Sequence, residues 1–135
     1  MADLMKGKRG LVMGVANDHS IAWGVARTLA AEGAELAFSY QGEAFGRRVA
    51  PLAESVGASL LLDVDVTNEA SMDAAWARIG DEWGLLDFVV HAIAYSDKNE
   101  LTGRYADTTR ANFLRSMDIS CYSLVDVSRR AAPMM

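Results

Sequence analysis

Cysteine is almost missing from this chain. One residue, Cys121, rules out an internal disulfide framework and fits a reducing compartment. Histidine is nearly as scarce, and His19 and Cys121 stand far apart, so no metal site is expected. Positive charge is in deficit, with 13 Lys and Arg against 18 Asp and Glu and a formal net charge of -5. That balance argues against a nucleic-acid partner, which calls for a clustered basic face. The short runs Lys6-Gly7-Lys8-Arg9, Arg47-Arg48 and Arg129-Arg130 read as solvated ends of elements. No apolar run approaches membrane-spanning length, and Met1-Ala2-Asp3-Leu4-Met5-Lys6 lacks the charged-then-apolar pattern of an export signal. The expectation is a soluble, cytoplasmic protein with no membrane partner.

Apolar side chains, by contrast, are plentiful. They make up 51 % of the sequence, enough for a sizeable core, and 135 residues suit one ordinary domain. A short run, Gly10-Leu11-Val12-Met13, precedes a turn containing Gly14, Asn17, Asp18 and Ser20. Helical spacing follows, with Ile21, Ala22, Val25, Ala26, Leu29 and Ala30 on one face and Gly33 as the stop. A second strand over 35–40 leads to a helix carrying Phe45, Val49, Leu52, Ala53 and Val56, closed by Gly57 in a left-handed cap. The third strand spans 59–64. Thr67 or Asn68 then caps a helix with Met72, Ala75, Trp76, Ile79 and Trp83 at helical spacing. The fourth strand, 86–91, is apolar almost throughout, as a strand buried on both faces should be. After a polar loop over 96–107, a long helix from Thr108 or Thr109 is expected to bury Phe113, Met117, Leu124, Val127 and Ala131.

Strands and helices alternating at this rhythm call for parallel strands joined by right-handed crossovers. The expected fold is α/β: a Rossmann-type doubly wound parallel sheet, incomplete, in strand order 3-2-1-4. That order is half of a dinucleotide-binding fold.

Four stretches at the carboxyl ends of these strands carry candidate chemistry. After the first strand, Gly14 allows a sharp turn and Ala16 keeps the loop small. Ser20 can cap the helix and offer its hydroxyl to phosphate, while Gly24 permits tight helix–strand contact. The loop is not G-x-G-x-x-G, and a glycine turn with a serine cap explains it locally; the strand before it and helix after it favour cofactor binding. After the second strand, Gln41 stands where an acidic residue often holds the adenosine ribose. Gln41 rejects no 2′-phosphate, and Arg47 and Arg48 lie nearby, so the residues leave NADH against NADPH open. After the third strand, Asp65 is placed to accept the exocyclic amine of adenine, with Val66 against the ring; Asp63 or Asp65 capping the turn explains the pair equally well. After the fourth, the small residues of His91-Ala92-Ile93-Ala94-Tyr95 leave room for a ribose and nicotinamide. His91 itself reads as a satisfied core histidine, and Trp23, Trp76 and Trp83 as core or interface.

Together these stretches resemble the bacterial enoyl-acyl-carrier-protein reductases, a divergent branch of the short-chain dehydrogenase/reductase superfamily. The resemblance rests on Gly14-Val15-Ala16…Ser20-Ile21-Ala22-Trp23-Gly24, Gly33-Ala34-Glu35-Leu36-Ala37-Phe38, Tyr40-Gln41-Gly42, Asp65-Val66, His91-Ala92-Ile93-Ala94-Tyr95 and Asp118-Ile119-Ser120. It implies that Gly14, Ser20 and Ile21 meet the pyrophosphate side of NADH and that Gln41 lies near the adenosine ribose. Asp65 and Val66 would meet adenine, Ile93 the nicotinamide half, and Ser96 the acyl substrate. It also implies reduction of a trans-2-enoyl thioester on acyl carrier protein, in fatty-acid elongation, by a homotetramer.

The same resemblance demands a tyrosine proton donor with a lysine seven residues later. Only Lys6, Lys8 and Lys98 exist, and Tyr40, Tyr95, Tyr105 and Tyr122 are followed at that distance by Arg47, Thr102, Asn112 and Arg129. No catalytic residue is therefore assigned. Residues 1–135 are expected to be the N-terminal part of a single dinucleotide-binding reductase domain, with its catalytic C-terminal part absent. The alternatives are a non-catalytic dinucleotide-binding module or an inactive fragment.

Overall fold

A computed structural model describes residues 3–135. Four strands run parallel: β1 (Arg9–Met13), β2 (Glu35–Tyr40), β3 (Leu60–Asp63) and β4 (Phe88–His91). Their order is β3-β2-β1-β4, as the alternating pattern predicts. Because side chains alternate across a strand, each strand feeds two cores. Leu11, Met13, Ala37, Leu60 and Leu62 face one side. There they meet Met72, Ala75, Trp76 and Ile79 of α3 (Glu69–Glu82), with Trp83 just beyond it. Val12, Leu36 and Phe38 face the other side, against Ala22, Trp23 and Ala26 of α1 (Ile21–Ala31) and Val49 and Ala53 of α2 (Glu43–Ser55). All three tryptophans are buried. Asn68 rather than Thr67 caps α3, its side chain accepting from the Ser71 N–H.

Phe45 is exposed at the first turn of α2, and three further burial expectations fail for identifiable reasons. Ile21 and Val25 are exposed, since α1 turns its Ala22-Trp23-Ala26 face inward and leaves those two on the outer edge. β4 is half-buried at all four residues, because it pairs with β1 on one side and forms the edge of the sheet. Phe113, Met117 and Leu124 are exposed, whereas Val127 and Ala131 are buried as expected.

The last difference falls where the helix is interrupted. The long helix is two helices, α4 (Arg110–Met117) and α5 (Ser123–Ala131), joined by a π-helical turn over Asp118–Tyr122. A π turn inserts extra backbone and rotates the next helical segment about its axis. Asn112 faces inward on α4 and Ser123, Asp126, Val127 and Ala131 on α5, which leaves Phe113 and Met117 on the outer side of α4 and Leu124 on the outer side of α5. Arg130 then ties α5 to α3, pairing with Asp73 at 2.6 Å and with Asp126 at 3.0 Å. Gly24 also departs from expectation: a Cβ there would meet open space, so its absence is not needed for helix–strand packing.

Candidate functional site

The carboxyl ends of the four strands open into one cleft of about 490 Å³. Gly14, Gln41, Asp65, Val66 and Ile93 line it, which gathers five of the eight expected site residues into one place. Ser20, Ile21 and Ser96 do not line it directly. This is the position at which ligands bind open α/β sheets.

Gly14 stands at the floor and is glycine for two reasons. Its φ is 104°, where side chains are disfavoured, and a Cβ would lie 2.0 Å from the Ala92 carbonyl oxygen. The close pass of β1 and β4 ends therefore depends on it. Ser20 occupies the cap position of α1 without capping it; its Oγ instead accepts the Ala16 N–H at 3.0 Å and the Asn17 N–H at 3.1 Å. The hydroxyl thus folds the loop, and its own O–H stays available to donate. With no side-chain cap, the first N–H groups of α1, at Ile21 and Ala22, point outward from the positive end of the helix dipole.

The other strand ends are equally ordered. Asp63 Oδ1 accepts the Gly42 N–H at 3.0 Å, pinning the turn that carries Gln41. Asp65 Oδ1 accepts from Thr67 N at 2.9 Å and Thr67 Oγ1 at 2.7 Å. Its second oxygen has no partner among the described residues, so turn-capping and a free acceptor coexist in one carboxylate. Arg47 pairs with Glu43 at 2.8 Å and Arg48 lies over the Phe45 ring, so both belong to the surface of α2.

Beyond β4, polar side chains of α4 and the π turn hold the chain in place. Ser120 Oγ accepts the Tyr95 N–H at 2.9 Å and donates to the Tyr95 carbonyl at 3.2 Å. Asn112 Oδ1 accepts the Asp97 N–H at 2.9 Å, and its Nδ2 donates to Ser96 Oγ at 3.3 Å. His91 is half-buried and satisfied, with Nε2 2.7 Å from Ser123 Oγ, and burial holds its pKa below the ordinary value. It lies outside the cleft lining, but on the edge strand it is only half-buried, so it is a satisfied histidine and not a core one.

Phe45, Thr67 and Arg115 also line the cleft, and sequence reasoning does not single them out for it. Helical spacing assigns Phe45 to the core, yet it stands at the first turn of α2, above the sheet. Arg115 gives no signal, since helix phase on either side of a π turn is not legible from spacing. Ile119 is a further lining residue, and the stretch Asp118-Ile119-Ser120 carries its signal in the sequence.

Comparison with known proteins points one way. A family model described as "Enoyl-(Acyl carrier protein) reductase" matches residues 14–135. The chain is 62 % identical over 135 residues to an enoyl-[acyl-carrier-protein] reductase [NADH] of Rhizobium meliloti, covering 100 % of this chain and 50 % of that relative. Among solved structures, FabI from Candidatus Liberibacter asiaticus superposes with a TM-score of 0.97 at 54 % identity, over 100 % of this chain and 52 % of its own. The reductase from Anaplasma phagocytophilum, solved in complex with NAD, gives 0.95 at 52 % identity, over 99 % and 51 %. The chain spans about half the length of the curated relatives it matches. It belongs to the enoyl-(acyl carrier protein) reductase family.

Proposed function

We propose that residues 1–135 are the amino-terminal, dinucleotide-binding part of a single NADH-dependent enoyl-acyl-carrier-protein reductase domain. The observation that carries this reading is the convergence of Gly14, Gln41, Asp65, Val66 and Ile93 on one cleft at the strand ends. The residues fit such a cofactor. Gly14 gives close backbone approach, and the uncapped Ile21 and Ala22 amides with the Ser20 hydroxyl supply donors to the pyrophosphate. Ile21 contributes through its main chain. Gln41 bonds the adenosine ribose. The free oxygen of Asp65 accepts the adenine amine, with Val66 against the ring and Ile93 beside the nicotinamide half. Ser96 stands at the acyl substrate. NADH, when bound, supplies the hydride for the double bond of a trans-2-enoyl thioester on acyl carrier protein.

The reductase acts in type II fatty-acid synthesis, in the cytoplasm, as a homotetramer. The relatives' names and the NAD-bound neighbour support the reaction, and the exposed apolar face of Phe113, Leu114, Met117 and Leu124 supports assembly. Proton donation needs a tyrosine with a lysine seven residues later, and residues 1–135 hold no such pair. The chain on its own therefore binds nucleotide without turnover.

Calorimetric titration with AMP, NAD and NADH tests the binding claim. AMP is expected to retain most of the affinity of NADH, and Asp65→Ala to weaken all three. The reading fails if AMP loses most of that affinity, or if Asp65→Ala leaves adenine binding unchanged.

A further inference from the structure

Resting on the dinucleotide reading, we infer that Arg115 is the cation that recognises the 5′-phosphate groups of the nucleotide. The cleft presents two charged side chains, Asp65 and Arg115, so Arg115 is the only basic group lining it among the described residues. Arg9, Arg47, Arg104, Arg129 and Arg130 form ion pairs; Arg27, Arg48, Arg78, Arg110 and Arg115 form none among the described residues, and of these five only Arg115 lines the cleft. Its guanidinium instead lies over the Tyr95 ring, 4.9 Å from the centroid. Tyr95 in turn is fixed at both its N–H and its carbonyl by Ser120. A planar cation stacked on a ring whose main chain is fixed stands at the cleft wall with its donors free of any ion pair among the described residues.

The phosphate-facing loop creates the need for such a cation. Ser20 Oγ takes the Ala16 and Asn17 amides, Asn17 Oδ1 takes the His19 amide at 2.8 Å, and the Asn17 carbonyl takes the Ser20 amide at 3.2 Å. Four amides that a more open glycine loop would aim at phosphate are thus spent within the loop. What remains includes the start of α1, the Ser20 hydroxyl and the Val15 and Asp18 amides, all of them neutral donors. A pyrophosphate entering a chain of formal net charge -5 meets repulsion that these neutral donors offset only in part. Arg115 supplies the charge, and charge-assisted hydrogen bonds to phosphate are the stronger kind.

Titrating the 135-residue chain with adenosine, 5′-AMP, 2′-AMP and ADP at low and high salt tests this, using Arg115→Gln and Arg115→Lys. Arg115 is exposed, so both variants are expected to melt like the parent. Arg115→Gln should weaken ADP about tenfold, 5′-AMP less, and adenosine and 2′-AMP not at all. Arg115→Lys should recover part of the ADP affinity. Salt should erode the parent's preference for ADP over adenosine and leave that of the glutamine variant nearly flat. Unchanged ADP affinity in Arg115→Gln overturns the inference while leaving the dinucleotide reading standing. So does an equal loss for adenosine and ADP, which would make Arg115 a wall for the base, or a loss confined to 2′-AMP. A parent chain that binds none of the four overturns the dinucleotide reading, and the inference with it.

Discussion

Replacing Gly14 by alanine should damage both the fold and the cleft, and the structure separates two contributions. The first is conformational. At φ 104° the residue lies beyond the left-handed well that L-residues tolerate, a penalty of about 1–2 kcal/mol. The second is steric. A Cβ 2.0 Å from the Ala92 carbonyl oxygen meets backbone, which must move rather than rotate away. Displacing that strand end disturbs the β1–β4 junction, where Ala92 N–H donates to the Met13 carbonyl at 3.1 Å. A combined loss of about 3 kcal/mol is expected, a large share of the about 5–15 kcal/mol that holds a domain together. Gly57→Ala is the matched control. Its φ is 65° and a Cβ there meets nothing within 4 Å, so only the conformational part applies, about 1 kcal/mol. Urea unfolding of the two variants reads the difference directly. Equal losses, or a Gly14→Ala loss below about 1 kcal/mol, would refute the steric argument.

Three other outcomes are expected. The hydrogen bond from Ser59, with Arg9 and Trp83, holds the Glu35 carboxyl below its ordinary value; stability is present above about pH 4.3 and lost as pH falls towards the folded pKa, so Glu35→Gln should flatten that acid limb in a pH series of melts. Burial lowers the His91 pKa, so the native state resists the proton and stability declines as pH drops below about 6.5; an imidazole NMR titration midpoint at or above that value would contradict this. The half-exposed β4 edge offers unpaired backbone to other chains, so the isolated chain should associate with rising concentration in sedimentation, and a monodisperse monomer would count against it.

The sheet order and the two cores are legible in the sequence because they rest on period: two along strands, about 3.6 along helices. Leu11, Met13, Met72, Trp76 and Ile79 need nothing more. Five cleft residues are legible because strand ends in a doubly wound sheet converge, so position along the chain stands in for position in space. The failures have two sources: period does not say which strand is the sheet edge, as at β4, or where a polar contact breaks a helix. Ser120 bonding to Tyr95 and Ser123 to His91 accompany the π turn, and Phe113, Met117 and Leu124 there face away from the core. Ser20 misleads through local contacts, since its hydroxyl prefers two amides three and four residues back to the helix end that spacing expects it to cap.

The central claim, that the strand-end cleft binds the adenosine side of a dinucleotide, is most directly tested by amide NMR of the chain during titration with ADP. The shifts should concentrate at Gly14, Ile21, Ala22, Gln41, Asp65 and Val66, and Asp65→Ala should suppress them. Shifts scattered over α2 or α5 with the cleft silent, or no response at saturating ADP, would contradict the account.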